Sequence, residues 1–166
     1  FLMGPDGMNN VDSYWPPWNI TDIFSTASFW SPDGSKLSFT AAGSDGKGDV
    51  FTMDSDGANI SNLTNNPISD YAGEWSPDGT KILFSSLRDG DEEIFIMNSD
   101  GSGQTQLTFN NALDASPTWS PDGDTIAFHS DRDGNYEIYT MGIDGSNQTN
   151  ITNTPLRTEY SPVWAR

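Results

Sequence analysis

Carboxylates and amides alternate along Asp131-Arg132-Asp133-Gly134-Asn135-Tyr136-Glu137, the pattern in this chain nearest to a metal-binding loop. Oxygen ligands at every second residue open the EF-hand loop, and calcium takes about six to eight such oxygens. Asp131, Asp133, Asn135 and Glu137 would then be ligands and calcium the ion. The match is partial, because Gly falls at the fourth position and no bidentate Glu follows at the twelfth. Asp89-Gly90-Asp91-Glu92-Glu93 is a fainter echo. The preferred reading of both stretches is a hairpin turn whose Asp side chains bond nearby backbone amides, with Arg88 and Arg132 pairing locally.

Other chemistry is scarce. The single histidine, His129, has Ser130 and Asp131 beside it, but strand alternation turns adjacent residues to opposite faces, so they do not make a triad. There is no Gly-x-Ser-x-Gly and no His-Glu-x-x-His. Zero cysteines exclude disulfides and thiolate sites. No catalytic residue is assigned, and the chain is read as a non-enzyme. A net charge of −17 opposes phosphate backbones and anionic lipid, so nucleic acid is excluded as a partner. No apolar run approaches the roughly 20 residues of a membrane span.

These residues sit in a repeat. Trp-Ser-Pro-Asp-Gly occurs at Trp30–Gly34, Trp75–Gly79 and Trp119–Gly123, and Ser161-Pro162-Val163-Trp164 is a degenerate fourth copy. The spacing of 45, 44 and 45 residues is that of a propeller blade. Phe39, Phe84 and Phe128 each lie nine residues after their Trp, and Met53, Met97 and Met141 follow at near-constant offsets. Asp56-Gly57, Asp100-Gly101 and Asp144-Gly145 mark tight hairpins. Within each unit, short apolar strands alternate with Gly-bearing turns, giving four strands in about 44 residues. The third strands are apolar on both faces, as stacked blades require, and no 3.6-residue period is sustained, so no helix is expected. The fold class is all-β: a propeller of four-stranded antiparallel blades, with about three complete blades and a split or partial blade.

The pattern Trp-Ser-Pro-Asp-Gly…Ile-Ala-Phe…Ser-Asp-Arg-Asp-Gly-Asn…Glu-Ile-Tyr…Met…Asp-Gly…Thr resembles the TolB-like (PD40) β-propeller repeat over nearly the whole chain. The resemblance implies a periplasmic or extracellular protein that binds a protein or peptide partner at the mouth of its channel. It also leaves open an accessory propeller of a secreted carbohydrate- or peptide-active enzyme, because such repeats occur there too. A self-assembling structural unit is a third reading.

The predicted organisation is one propeller segment over 1–166, with a partial blade at 1–24 and blades at about 25–69, 70–113 and 114–158. A closing strand is predicted at 159–166. The chain starts at Phe1 without Met, and is read as processed, truncated or a window of something longer. Three blades leave open edges, which a homo-oligomer would close. The stretch Val11–Phe24 is longer than its counterparts and carries Trp15 and Trp18. Those two either pack the loop against a blade or form an aromatic platform for a partner. Asp70-Tyr71, Asp114-Ala115 and Glu159-Tyr160 open the inner strands, so Asp70, Asp114 and Glu159 would converge at one channel mouth with Tyr71 and Tyr160. Converging carboxylates favour a cation or a basic peptide; the alternative is that they cap their strands.

Overall fold

The computed structural model of the chain describes residues 28–42 and 45–165. The partial blade at 1–24, including Trp15 and Trp18, lies outside the described residues. Twelve strands form three four-stranded antiparallel sheets, and no helix is present among the described residues. The first blade holds β1 (Ser28–Trp30), β2 (Lys36–Ala42), β3 (Gly48–Asp54) and β4 (Ser61–Asn62). The second holds β5 (Asp70–Trp75), β6 (Lys81–Ser86), β7 (Glu93–Asn98) and β8 (Thr105–Gln106). The third holds β9 (Asp114–Trp119), β10 (Thr125–Ser130), β11 (Glu137–Gly142) and β12 (Thr149–Asn150). Each sheet runs in chain order from inner to outer strand.

Side-chain alternation explains the stacking. On one face of the second blade, Ile82, Phe84, Phe95 and Met97 pack with Trp75 and with Val50 of the first blade. On the other face, Leu83 and Ile94 pack with Trp119, Ile126 and Phe128 of the third. The middle sheet is thus buried on both sides. At roughly 1.5–3 kcal/mol for each large apolar side chain removed from water, this burial holds the blades together. Cross-strand aromatic partners repeat the same contact in each blade: Phe39 on Phe51, Phe84 on Phe95 and Phe128 on Tyr139, at 5.9, 5.3 and 5.7 Å between ring centroids.

The Ser-Pro-Asp-Gly turns close on themselves. Ser76 Oγ donates to Asp78 Oδ1 at 2.6 Å, Thr80 N donates to the same oxygen at 3.0 Å, and Lys81 N donates to Ser76 Oγ at 2.9 Å. The preceding Trp reaches across the seam: Trp75 Nε1 donates to Phe29 O at 3.2 Å and Trp119 Nε1 to Glu74 O at 3.1 Å. In the second and third blades the motif therefore both turns the chain and ties the blade to the one before it. Gly145 does the same at the outer turn. Its φ is +81°, and a Cβ there would stand 2.5 Å from Leu107 O of the second blade.

The inner strands are bulged. In the second blade the register slips between Ala72 and Trp75, and a Cβ on Gly73 would meet Leu83 O at 2.5 Å. In the third it slips opposite Ala127 to His129, where Ser116 takes φ +51° ahead of Pro117. Bulges bend a strand and re-aim its side chains, here on the wall facing the neighbouring inner strands. Tyr160–Trp164, expected as a fourth inner strand, is not paired in a sheet. The segment is attached instead through Glu159 N, which donates to Tyr136 O at 2.8 Å.

Candidate functional site

Asp70 and Asp114 begin β5 and β9 and are fully buried. Neither stands free at a channel mouth. Arg88, in the turn between β6 and β7, donates to Asp70 from Nε at 3.1 Å and Nη2 at 2.7 Å. Its Nη1 donates to Gln104 Oε1 at 2.6 Å, and Gln104 Nε2 donates to Leu63 O of the preceding blade at 3.0 Å. The guanidinium lies over the rings of Phe84 and Phe95, 5.2 and 5.3 Å from their centroids. The third blade repeats the chain of contacts through Arg132, Asp114, Gln148 and Leu107 O. In each of these two blades one network therefore runs from inner strand to outer turn and into the preceding blade. Arg88 and Arg132 were expected to pair locally; their partners lie eighteen residues back. Asp70, Arg88 and Gln104 recur as Asp114, Arg132 and Gln148 at one common spacing, a signal present in the sequence.

The other inner-strand candidates are accessible. Tyr71 is 41% exposed and Tyr160 57% exposed. Glu159 accepts from Thr154 Oγ1 at 2.7 and 2.8 Å. Tyr160 stands edge-on to His129 and Tyr136, with centroids 6.3 and 5.6 Å away. Burial lowers the pKa of His129 against the pull of Asp114 and Asp131, and its Nδ1 has no hydrogen-bond partner among the described residues. A histidine held in this way lacks the carboxylate contact that orients a general base.

A groove of about 510 Å³ opens along the inner strands. Phe29 of β1, Tyr71 and Glu74 of β5, Pro117 of β9, and Pro162 and Val163 line it. Three blades and the segment after the third thus contribute to one concave surface. Glu74 is shared across a seam, its Oε2 accepting from Thr118 Oγ1 at 2.6 Å and Trp119 N at 3.0 Å. Glu92, also in the groove, accepts from Ser85 Oγ at 2.5 Å, while burial raises its pKa. The sequence did not single out Glu74 or Glu92: Glu74 lies in the bulge of β5, whose residues differ from those of the β9 bulge, and Glu92 reaches the groove from the turn before β7.

The four residues of the metal-like loop are engaged inside the third blade. Asp131 Oδ1 accepts from Leu113 N at 2.9 Å, and Asp133 accepts from the Tyr139 hydroxyl and from Asn150 Nδ2. Asn135 Nδ2 donates to Glu137 Oε1 at 3.0 Å. The acidic residues that gather are those of the fainter echo: Asp89, Asp91 and Glu93 each place an oxygen within 4.8 Å of the others. Desolvation, with neighbouring Asp114 adding to it, pushes Glu93 up to about 7. Burial and the nearby charges of Asp89, Asp114 and Asp131 raise Asp91.

The family model described as the TolB beta propeller domain matches residues 20–103 and 65–166. The fold is similar to a putative TolB from Agrobacterium tumefaciens, at 31% identity and a TM-score of 0.73, covering 79% of this chain and 48% of that one. It is similar to TolB from Acinetobacter baumannii at 28% identity and TM-score 0.68, covering 78% and 32%. A puromycin-hydrolyzing peptidase of Mycobacterium tuberculosis shares the fold alone, at 14% identity and TM-score 0.68, covering 86% of this chain and 24% of the peptidase. The chain spans about half the length of the first of these and a third of the second. Comparison with curated proteins found no match.

Proposed function

Because the chain belongs to the TolB β-propeller domain family, we propose that it is a non-catalytic binding module taking an extended protein or peptide segment in the groove between its inner strands. The observation that carries this is the groove itself, about 510 Å³ and walled by three successive blades. Exposed Tyr71 offers an aromatic anchor, and Phe29 with Pro117 and Pro162 supplies apolar walls. Glu74 and Glu92, within a chain of net charge −17, favour a basic segment. Asp70 and Asp114 act by holding the inner strands to their blades, while Glu159 and Tyr160 precede the groove-lining Ser161–Val163 segment and pack on Thr154, His129 and Tyr136.

Fluorescence anisotropy with labelled basic, neutral and acidic extended peptides tests this. The basic peptide is expected to bind tightest, and Tyr71→Ala to weaken it about tenfold, the effect of losing one aromatic anchor. Ile143→Ala, on the outer turn of the third blade, is expected to change nothing. Equal affinity for all three peptides, or an unchanged Tyr71→Ala variant, refutes the reading.

In this proposal a second copy of the chain completes the ring, and the module works in the periplasm or outside the cell. No helix of the described residues is long and apolar enough to cross a membrane. Native mass spectrometry should find a multiple of 18.1 kDa; a single chain at every concentration refutes closure by a second copy.

A further inference from the structure

The repeats act as internal controls for one another, and one seam departs from the rest. Asp49, Glu93 and Glu137 occupy equivalent positions on the third strands and are all buried. Asp49 has both oxygens satisfied, Oδ1 by Thr64 Oγ1 and Asn66 N and Oδ2 by Asn62 Nδ2. Glu137 is likewise satisfied, Oε1 by Thr154 N and Asn135 Nδ2 and Oε2 by Thr152 Oγ1. Glu93 receives Asn110 N on Oε1 at 2.7 Å, and its Oε2 has no partner.

Two further departures surround it. Where the third blade has Asn135, an amide that donates to Glu137, the second blade has Asp91, which cannot donate; Asp91 Oδ2 is also buried without a partner. Asp70 is gripped through both oxygens by Arg88, but Asp114 is held by Arg132 through Oδ2 alone, because Arg132 Nε turns to Ser130 Oγ. Asp114 Oδ1 is left buried and unpartnered. The blades are tied at this point by Asp114 N, which donates to Glu92 O at 2.7 Å. Three carboxylate oxygens from three residues are thus buried without a donor from a neighbouring group, a costly arrangement that is relieved by a proton held between Glu93 and Asp114 or by a cation that displaces it.

We propose that this seam between the second and third blades binds a calcium ion through Asp89, Asp91 and Glu93, with Asp114 of the neighbouring blade beside it. The oxygens of the first three lie within 4.8 Å of one another, the span of two calcium–oxygen bonds of about 2.4 Å each. The donors are hard oxygens, and backbone carbonyls and water complete calcium's flexible shell. Asp131 adds negative charge nearby, and Arg132 is the cation already committed to Asp114. The ion would pin the β6–β7 turn to the start of β9, a role separate from the groove.

Calorimetric titration of CaCl2 into the chelator-stripped 166-residue chain at neutral pH tests the site, read together with thermal unfolding. Binding of one ion per chain and a raised unfolding midpoint are expected. Asp91→Asn installs the amide that the third blade uses, so it should fold, unfold no earlier than the metal-free chain, and bind calcium at least tenfold more weakly. Asp133→Asn, at the third blade's counterpart of Asp89, should leave affinity unaltered. Should Asp91→Asn fail to fold, Asp89→Asn, at an exposed ligand, replaces it with the same expected loss. Absence of heat and of a midpoint shift at millimolar calcium overturns the proposal, as does unaltered affinity in the ligand variant.

Discussion

Arg88 holds Asp70 with two nitrogens, Nε on Oδ1 at 3.1 Å and Nη2 on Oδ2 at 2.7 Å, and so fastens the first residue of an inner strand to the β6–β7 hairpin that returns beside it. Asp70 is fully buried and the arginine side chain is 19% exposed. Removing the arginine strands a carboxylate without solvent. Arg88→Ala is expected to cost about 3–5 kcal/mol, seen as a lower urea midpoint with an unchanged slope. A loss below 1 kcal/mol would mean that the pair is solvated like a surface bridge.

Gly145 and Gly134 separate backbone conformation from close approach. Both have positive φ, +81° and +95°, but only Gly145 has a neighbouring blade in the space of a Cβ. Gly134→Ala should cost about 1–2 kcal/mol, the penalty of a left-handed L-residue. Gly145→Ala should cost a further 1–3 kcal/mol or so from overpacking against Leu107. Equal losses in thermal unfolding would contradict the seam contact.

Acid sensitivity follows from the repeated turns. The hydrogen bond from Ser76, then the Thr80 amide and hydroxyl, holds Asp78 below its ordinary value, and the same geometry takes Asp33 to about 2. A carboxylate with a depressed folded value stabilises the fold above its unfolded pKa and ceases to do so as pH falls through the folded one. The deficit in unfolding midpoint of Asp78→Asn relative to the parent should be full at pH 5 and above and shrink toward pH 2. A deficit that does not change over that range would show that the charge of Asp78 contributes nothing.

Glu74 bonds the third blade's Trp119 N and Thr118 hydroxyl from the second blade. Glu74→Ala should leave that buried amide unmet and cost about 1–3 kcal/mol, measured by equilibrium denaturation. Glu74→Gln keeps an acceptor and should lose less.

The repeat length, the strand count and both buried faces of the middle sheet were legible, because Trp, Phe and Met recur at fixed offsets and strand alternation does the rest. The inner-strand position of Asp70 and Asp114 was legible too. Their partners were not: Arg88 and Arg132 were assigned to nearby turn residues, whereas antiparallel pairing returns the hairpin to the start of the inner strand, bringing Ser86 opposite Asp70. The acidic echo at Asp89–Glu93 ranked below Asp131–Glu137 on ligand spacing. The residue that differs between them is Asp91 against Asn135, and that difference matters only once a buried glutamate is known to lie beside them.

Recognition in the inner-strand groove is tested most directly by hydrogen–deuterium exchange of the chain with and without the basic peptide. Slowed exchange is expected in segments 71–74, 116–118 and 161–163, with the outer strands β4, β8 and β12 unaffected. Protection confined to the outer strands or to the Ser-Pro-Asp-Gly turns would contradict it.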